Sequence, residues 1–573
     1  MKVHYETITL GINSLDRFTL PKFQRGLVWT GEKKRDFVKT LHNGFPFGAM
    51  LVYPEDQTAD SKLLLLDGQQ RLSTIKQYRD NPLDFWKPLN QDIYDTHLEE
   101  INHLLSDESQ LSVPEFDALL TGETDLADWS DDVEPIDPNT TKKQLRDSIK
   151  ELRAIISNYV DLDDLSIFAI KFLGSKDQIA EVFANLNKGG MPLSKYEIYS
   201  AAWIDTEISL LPAGDSPIQD EILNLVKKYY TDMEREFDLN NFSEDELTAT
   251  RKITLSEFGM ALGSYIQKQL NSLIPNTEKS ANEIGFGVLG IATGVDNRQL
   301  NKLNRFAEEI DHKLQIILEK VDQICTNLQD VFGKLLKQIS ASKNNVYSTG
   351  LSTTFKTLSY FAALWDLTPN SEEYRLTLKN IKSYYIFDSW TKVWSSHGDQ
   401  RLYDYYPNNC KRNYLEKIAR EDFVAAFNQW VADITPGIQF SGDTKALVTV
   451  HANLTYMAST VPQGDSFELE HIIAKKLIND ADDTSNRHIL GGCLGNCMYL
   501  PKQDNNKKKY KDPYQVNDHG QYSAIITSSK YFTKDEFAVI YSALLNKDYA
   551  IVNGYILERT KTIGEQIIDL LLD

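Results

Sequence analysis

The sequence predicts an α+β protein built from several domains, and three observations predict it. Short strand-like runs alternate with helical segments through the first third of the chain. Helical periodicity dominates the middle. Strand-like runs and polar loops return near residue 440, and helices close the chain. We therefore expect a mixed α/β domain over 1–214, an all-α region over 215–439 and a compact α+β domain over 440–573.

The composition is that of an ordinary globular protein. The chain has 573 residues, of which 41% are hydrophobic and 25% charged, enough apolar material for more than one core. No apolar run approaches the ~18–20 residues of a bilayer span, and the start lacks the basic stretch and apolar core of a secretory signal. Four cysteines in so long a chain suit a reducing compartment. We therefore expect a cytoplasmic protein without a membrane partner.

The formal net charge is −21, yet basic residues form two local clusters. A uniformly acidic surface would repel DNA, because neutralisation of phosphates by Lys and Arg dominates such binding. Screening over ~8 Å in cell-like salt means that local patches decide instead. The first cluster is Lys33, Lys34 and Arg35. The second comprises Lys502, Lys507, Lys508, Lys509 and Lys511.

Several elements can be predicted along the chain. The apolar run from Leu63 to Leu66 predicts a strand that ends at a turn, and QQRLSTIKQYRD predicts the helix after it. A second strand is expected at IFAIKFL, with helices at AEVFANLNKGG and PLSKYEIYSAAW. Residues 105–145, rich in Asp, Glu, Pro and Thr, are expected to form an acidic surface insertion.

The later elements are predicted from the same patterns. Apolar residues spaced by three and four from Leu303 to Leu335 predict one long helix with a buried stripe. The runs KALVTVHANL and Met498 to Leu500 look like strands. From Thr533 to the end, the pattern is again helical.

Chemistry-bearing residues gather near the carboxyl end. Glu470 adjoins His471 in SFELEHIIAKKLI, Asn496 follows in LGNCMYL, and Asn505 and Asn506 lie in a lysine-rich run. A histidine can take a proton from water, while a carboxylate and an amide oxygen hold a hard divalent cation such as Mg²⁺ or Mn²⁺. These residue types together suit hydrolysis of a phosphodiester.

This region resembles the HNH endonucleases, and most closely the HNH family that closes GmrSD-type modification-dependent restriction enzymes. The resemblance implies a ββα-metal fold with His471 as general base and Glu470 as a metal ligand. It further implies that Asn496 pins the loop carrying the base and that Asn505 is the second metal ligand, with Asn506 as the alternative. Ala474 stands where the family usually has proline. Lys507, Lys508, Lys509 and Lys511 are expected to contact DNA.

A second constellation lies near the amino end. Gln24 and Arg25 sit between aromatic residues, and Asp67, Gly68, Gln69, Gln70 and Arg71 occupy the predicted strand-to-helix turn. Such a turn directs backbone N–H groups toward an anion, and glycine lets a phosphate approach. Arg71 could clamp phosphate oxygens, Asp67 could hold Mg²⁺ and Gln69 could orient water. The alternative is a helix-capping turn with Asp67 as N-cap. No P-loop motif occurs here.

The motifs FQR…W and DGQQR resemble the ParB-like amino-terminal family of the same GmrSD-type enzymes. VFANLNKGGMPLSKYEI looks like the third block of that family, so Asn185, Asn187 and Gly190 are expected to border the site. The resemblance implies a domain that binds and hydrolyses a nucleoside triphosphate and senses DNA. GTP, ATP, CTP and UTP all remain open.

Both resemblances imply a modification-dependent (type IV) DNA endonuclease that acts against phage or other foreign DNA. Nucleotide binding or hydrolysis by the amino-terminal domain would control or power cleavage by the HNH domain. Nicking and double-strand cutting both remain open, and only the latter favours a homodimer. One alternative is a nucleotide-gated DNA-binding regulatory protein without nuclease activity. Another is a nuclease whose ParB-like half only recognises DNA.

Overall fold

The computed structural model describes residues 4–19, 29–54, 61–137, 141–174, 178, 182, 203, 206–234, 243–338, 345–459, 467–483, 487–515 and 526–573. The chain divides into two compact units, one of 1–205 with 227–249 and one of 206–226 with 250–573. The architecture is mixed, with many helices and small sheets, as expected of an α+β protein with several domains. The expected boundary at 440 lies inside the second unit and remains a prediction, as does the boundary at 215.

A mixed five-stranded sheet occupies the first unit. Its strands are β1 (Tyr5–Leu10), β2 (Phe18–Thr19), β3 (Met50–Pro54), β4 (Leu63–Asp67) and β5 (Ile167–Phe172). They lie in the order β1-β5-β3-β4-β2. β5 is antiparallel to β1 and parallel to β3, whereas β4 is antiparallel to β3 and parallel to β2. The strand predicted at IFAIKFL is thus confirmed as β5.

The helices of this part of the chain cover the sheet or form a second layer. They are α1 (Gly31–His42), α2 (Gln69–Asp80), α3 (Leu83–Leu89), α4 (Gln91–Leu104), α5 (Val113–Thr121), α6 (Leu126–Asp132) and α7 (Lys142–Ser157). Apolar side chains of α1 and α2, including Phe37, Leu41 and Ile75, join those of β3 and β4 in one core. The helices predicted at AEVFANLNKGG and PLSKYEIYSAAW lie almost entirely outside the described residues.

The expected strand, turn and helix around Gly68 are confirmed. β4 ends at Asp67, Gly68 has a φ of +108°, and α2 begins at Gln69. A Cβ atom at Gly68 would lie 2.8 Å from Met50 Cγ, and L side chains are strained at this φ. Glycine therefore allows the chain to turn from the sheet into the helix close beside β3.

The acidic surface insertion expected over 105–145 is wrong, because about half of this segment is helical and its apolar residues are buried. Ser112 and Thr141 form capping boxes at the starts of α5 and α7. Buried residues such as Trp86, Phe116 and Leu145 form a core of their own under these helices. Acidic residues occupy the caps and exposed faces of these helices. The segment therefore has the composition of a polar loop although it forms short amphipathic helices.

The next part of the chain is mainly helical. Two short strands, β6 (Glu207–Ser209) and β7 (Lys252–Thr254), pair antiparallel. The helices are α8 (Pro217–Glu234), α9 (Glu244–Thr250), α10 (Leu255–Gln269), α11 (Glu278–Thr293), α12 (Ala307–His312), α13 (Leu314–Leu336), α14 (Thr354–Leu364), α15 (Glu372–Trp390), α16 (Gly398–Tyr403), α17 (Arg420–Ala432), α18 (Gly442–Leu454) and α19 (Tyr456–Ser459).

The apolar stripe from Leu303 to Leu335 is buried, as predicted, but it does not form one helix. It starts in a 3-10 helix, Asn297–Phe306, and continues through α12 and α13. Lys313, at φ −101° and ψ 8°, separates α12 from α13. Spacings of three and four fit all three segments, so the pattern could not reveal the interruption.

The strand expected at KALVTVHANL is also wrong, because this run lies in α18. The Ser441 side chain caps the helix by accepting a hydrogen bond from the Thr444 backbone N–H. The helix is buried on nearly every side. A helix buried all round shows no amphipathic period, and its β-branched residues then imitate a strand.

The carboxyl-terminal segment contains a two-stranded sheet whose second strand leads directly into a helix. β8 (Phe467–His471) pairs antiparallel with β9 (Cys497–Pro501), and α21 (Lys502–Lys508) follows β9 directly. The strand predicted at Met498 to Leu500 is thus confirmed. The remaining helices are α20 (Lys475–Ala481), α22 (Lys534–Leu545) and α23 (Tyr549–Leu572), and 3-10 turns lie at Leu494–Asn496 and Pro513–Gln515.

The helical carboxyl end predicted from Thr533 is confirmed, since this residue forms a capping box at the start of α22. α23 packs closely on the turn that carries Asn496. A Cβ atom at Gly495 would lie 1.8 Å from the Ile556 carbonyl oxygen. Among the residues that the structure describes, no helix combines the length and apolar character needed to cross a membrane.

Candidate functional site

Asn496 ties the turn before β9 to the end of β8. Its Oδ1 accepts the backbone N–H of Ile473 at 2.7 Å, and its backbone carbonyl accepts that of Ile472 at 3.0 Å. Its Nδ2 donates to the carbonyls of Gly491 at 2.9 Å and Ile473 at 3.3 Å. The side chain is fully buried. These contacts fix the segment that follows His471, as a pinning role requires.

His471 lies at the end of β8 with its ring between protein groups. Its Nε2 lies 2.8 Å from the Ile438 carbonyl, and the ring stacks on Phe440 with centroids 3.8 Å apart. A carbonyl only accepts, so Nε2 carries the proton and Nδ1 keeps the lone pair. Burial lowers the pKa of His471 to about 4, and the nearby Lys475 and Lys508 charges act in the same direction. The ring is therefore neutral at pH 7, and its lowered pKa makes it a weaker base than a free imidazole.

Glu470 is held by a buried lysine. The Lys508 Nζ lies 2.7 Å from Glu470 Oε1 and 3.4 Å from the His471 carbonyl oxygen. The Lys508 side chain is 1% exposed, and that of Glu470 is 15% exposed. The expectation that Lys508 presents its ammonium group to DNA is therefore corrected, because α21 packs this residue against β8. Lys509 and Lys511 are exposed, whereas the side chain of Lys507 lies outside the described part.

Asn505 also faces β8, through Glu468. Asn505 Nδ2 donates to Glu468 Oε2 at 3.1 Å, whereas Asn506 is exposed. Asn505 and Lys508 are three residues apart on α21, and Glu468 and Glu470 are two apart on β8, so each pair shares one face. The geometry favours Asn505 over Asn506. The sequence motifs do not include Glu468. Its spacing of two residues from Glu470 on a predicted strand is the signal that could have identified it.

The donor chemistry of this face fits a hard divalent cation. Glu470 offers a carboxylate and Asn505 an amide oxygen, and Mg²⁺ usually binds one or two carboxylates while water and substrate phosphates complete its shell. One oxygen of Glu470 already accepts from Lys508. Among the described residues, no group of three or more His, Cys, Asp or Glu side chains could hold a metal ion. Any cation here therefore depends on few protein ligands.

Arg559 of α23 supports the turn that carries Asn496. Its Nη1 donates to the carbonyls of Gly495 at 2.9 Å and Cys497 at 3.1 Å, and Nη2 donates to that of Ser529 at 2.6 Å. Burial lowers the pKa of Arg559 to about 10, so the group stays charged at pH 7. No sequence motif marks this residue, because its partners are backbone carbonyls far away along the chain.

A second candidate site lies at the start of α2. Gly68 is its N-cap residue and provides no side chain, so the alternative in which Asp67 caps the helix is contradicted. The first N–H groups of a helix have no partner within it, and they attract anions. Gln69 Nε2 is buried and has no hydrogen-bond partner among the described residues. Both features lie at the start of α2.

Arg71 and Asp67 hold each other at this turn. Arg71 Nη2 donates to Asp67 Oδ2 at 2.9 Å, and Nη1 donates to the carbonyls of Phe47 at 3.2 Å and Ala49 at 3.0 Å. Gln70 Oε1 accepts the Trp29 backbone N–H at 3.1 Å. The side chains expected to bind phosphate and Mg²⁺ are therefore brought together, with their charges paired. A bound phosphate would have to share or exchange these bonds.

The remaining predicted nucleotide-site residues are not described. Gln24 and Arg25 lie outside the described ranges, and so do Asn185, Asn187 and Gly190. Their roles stay predictions. Of the residues expected at this site, the structure places Asp67, Gly68, Gln69, Gln70 and Arg71 around one turn.

Comparison with known proteins finds a family match in the amino-terminal part of the chain. Residues 7–204 match the family model described as the GmrSD restriction endonuclease N-terminal domain. This range contains the five-stranded sheet and the Gly68 turn. A search of curated proteins found no match. Residues 7–204 are therefore similar to the N-terminal domain of the GmrSD restriction endonucleases.

Proposed function

We propose that this chain is a metal-dependent DNA endonuclease whose HNH-type carboxyl-terminal domain, 440–573, cuts or nicks phosphodiesters. The observation that carries the proposal is the arrangement around Asn496, whose side chain bonds the segment following His471. The family match of 7–204 supports DNA as the substrate. The pairing of β8 with β9 and the helix α21 directly after β9 support a ββα arrangement. Glu470 and His471 lie on the first strand of this arrangement, and Asn505 lies on the helix.

In the proposed mechanism, His471 takes a proton from the attacking water through Nδ1, while Ile438 holds Nε2. Asn496 keeps the strand end rigid, so that the imidazole retains its orientation. Glu470 and Asn505 would hold a divalent cation, which when bound would offset charge on the phosphate. Lys509 and Lys511, which are exposed, would contact flanking phosphates.

A second proposed activity belongs to the amino-terminal part. It binds a nucleoside triphosphate at the Gly68 turn, supported by the glycine conformation, the uncapped helix start and the buried Gln69 donor. Arg71 would exchange its bonds to the Phe47 and Ala49 carbonyls for phosphate oxygens, which frees the loop between α1 and β3. The state of the nucleotide would then control cleavage.

The biological setting is proposed from the same family. The enzyme acts in the cytoplasm against phage or other foreign DNA, and DNA modification decides whether it cuts. Double-strand cutting by one site per chain would favour a homodimer, whereas nicking needs none. A nucleotide-gated DNA-binding regulator without nuclease activity is the alternative, favoured by the burial of His471, which is 5% exposed.

The test is a cleavage panel of modified and unmodified plasmid and phage DNA, with Mg²⁺ or Mn²⁺, with and without each triphosphate. Wild type should cut at least one DNA in a metal-dependent way, and His471→Ala should not. Equal cutting by both proteins would remove the nuclease assignment. Triphosphate binding and salt-sensitive DNA binding without strand breaks would favour the regulatory alternative.

The nucleotide site has its own test, the release of phosphate from each triphosphate. Asp67→Ala and Arg71→Ala should both lower turnover by at least about tenfold, because each removes a charged group proposed to bind Mg²⁺ or the phosphates. Arg79→Ala, on the same helix but paired with Asp80 at the surface, serves as the matched control. Unchanged turnover in both site variants would reject the proposed site.

A further inference from the structure

The buried ammonium group of Lys508 lies where the proposed nuclease site needs negative charge. It contacts Glu470 Oε1 at 2.7 Å and the His471 carbonyl at 3.4 Å, and its side chain is 1% exposed. A buried charge is costly unless it is paired, so Lys508 and Glu470 neutralise each other in this arrangement. A metal ion approaching Glu470 would meet a positive charge already in contact with its ligand.

The neighbouring carboxylate is compensated as well. Glu468, on the same face of β8, lies 3.6 Å from the Lys502 Nζ and accepts a hydrogen bond from Asn505. Among the side chains that the structure describes, the face therefore carries two carboxylates and two ammonium groups, and these charges cancel. Divalent cations bind tightly where carboxylate charge exceeds the local positive charge. This face offers ligand oxygens without that excess.

We propose that Lys508 is an internal counter-cation that makes metal binding at Glu470 depend on a DNA phosphate. The inference rests on the proposed nuclease function. Without DNA, the ammonium group competes with the cation for Glu470. A phosphodiester in the site adds the missing negative charge, so that Lys508 and the metal ion are both balanced. Metal and DNA then bind cooperatively, and each raises the affinity for the other by the same factor.

The coupling would protect the cell from an enzyme that is loaded with metal before it meets a substrate. It would also fit the short helix α21, which carries both the counter-cation and Asn505. Lys508 and Asn505 lie three residues apart on one face of this helix, so that a shift of α21 along β8 would move both residues. Lys508 thus acts as a positioning residue, through Glu470 and Asn505.

The experiment measures Mn²⁺ binding to the full chain by calorimetry at fixed ionic strength, with and without a DNA duplex that the enzyme recognises. For wild type, DNA should raise the Mn²⁺ affinity by at least about tenfold. Lys508→Gln keeps a donor to Glu470 but removes the charge, and it should bind Mn²⁺ at least about tenfold more tightly without DNA. Lys534→Met removes an exposed lysine of α22, outside the proposed site, and should change Mn²⁺ binding without DNA less than twofold.

Two results would contradict the proposal that Lys508 acts as a counter-cation. One is wild-type Mn²⁺ affinity that DNA leaves unchanged, a measurement that needs no variant to fold. The other is Lys508→Gln, or Lys508→Met if the first variant unfolds, binding Mn²⁺ no more tightly than wild type. Glu470→Gln separates this failure from failure of the proposed function. If Glu470→Gln abolishes Mn²⁺ binding, the proposed metal site is supported and only the counter-cation role of Lys508 is rejected. If Glu470→Gln leaves Mn²⁺ binding unchanged, the proposed metal site is rejected as well.

Discussion

Asn496 stabilises the site through hydrogen bonds that no other amino acid reproduces. Its amide both accepts from Ile473 N–H and donates to the Gly491 and Ile473 carbonyls while it is fully buried. Asn496→Ala should lower the free energy of unfolding by at least about 2 kcal/mol, because each buried group left unpaired costs about 1–3 kcal/mol. Urea unfolding measures the change.

Asn496→Asp provides the matched control for this residue. The carboxylate can still accept from Ile473 N–H but cannot donate to the Gly491 carbonyl. We expect the rate of metal-dependent cleavage by Asn496→Asp to lie between the rates of wild type and Asn496→Ala. Alanine at this position without loss of stability would show that the amide does not pin the end of β8.

His451 makes stability depend on pH. It is buried and contacts Gln566 Oε1 at 2.9 Å, and burial lowers its pKa to about 4, below the ordinary value of 6.5. Between these two values the unfolded chain binds more protons, so stability is full above pH 6.5 and falls as the pH drops toward 4. The loss is at most about 3 kcal/mol, at about 1.4 kcal/mol per pKa unit.

Unfolding of wild type and His451→Gln across pH 4–7 measures this dependence. The variant keeps a side-chain amide near Gln566 but cannot titrate, so its decline near pH 5 should be shallower by about 1.4 kcal/mol per pH unit. Other buried groups, among them His471, keep some slope in both proteins. Identical slopes would mean that His451 is not neutral in the folded state.

The motif residues could be predicted from the sequence, but their partners could not. Short motifs mark Glu470, His471 and Asn496, and the structure brings them together. The burial of Lys508 has no such signal, because a lysine in a basic run resembles a solvent-facing charge until its helix is placed on β8. Arg559 has none either, because it binds backbone carbonyls, which leave no pattern in the sequence.

At the scale of elements, α10 and α11 approach each other through glycines. A Cβ atom at Gly263 would lie 2.0 Å from the Ala281 carbonyl oxygen, and one at Gly285 would lie 2.0 Å from that of Gly259. Gly263→Ala should therefore force the helices apart and cost about 1–3 kcal/mol or more in free energy of unfolding. Gly285→Ala should lower the free energy of unfolding by a similar amount.

Gly554→Ala in α23 is the matched control for these helix glycines. No heavy atom among the described residues lies within 4 Å of a Cβ added there. Alanine should stabilise the helix by about 0.5–1 kcal/mol, because glycine loses more conformational freedom on folding. Thermal unfolding of the three variants compares them directly. A neutral Gly263→Ala would contradict the close approach of the two helices.

The elements predicted correctly are those whose pattern has a strong local signal. The strand and turn before Gly68, the strand at β9 and the capped helix after Thr533 all have such signals. The sequence of α18 resembles a strand because the helix is buried all round. The sequences of α5 and α6 resemble a loop because each helix is short and rich in acidic residues.

At the scale of the whole molecule, DNA must bind a protein of net charge −21 through a local basic surface. Lys509 and Lys511 are exposed beside the candidate site. Their replacement by Gln should lower the slope of log affinity against log salt by about 0.9 for each phosphate that the protein no longer neutralises. Fluorescence anisotropy with a labelled duplex measures these slopes. If both variants keep the wild-type slope of log affinity against log salt, the DNA does not contact Lys509 and Lys511.

The most direct test of the central claim is the single-turnover cleavage rate of DNA at saturating Mn²⁺ for matched histidine variants. His471→Gln removes the proposed base, whereas His488→Gln alters a half-exposed histidine paired with Asp482. We expect His471→Gln to cut at least about a hundredfold more slowly than wild type, because it lacks the general base, and His488→Gln to stay within about threefold of wild type. Equal rates for His471→Gln and wild type, with both proteins folded, would contradict it.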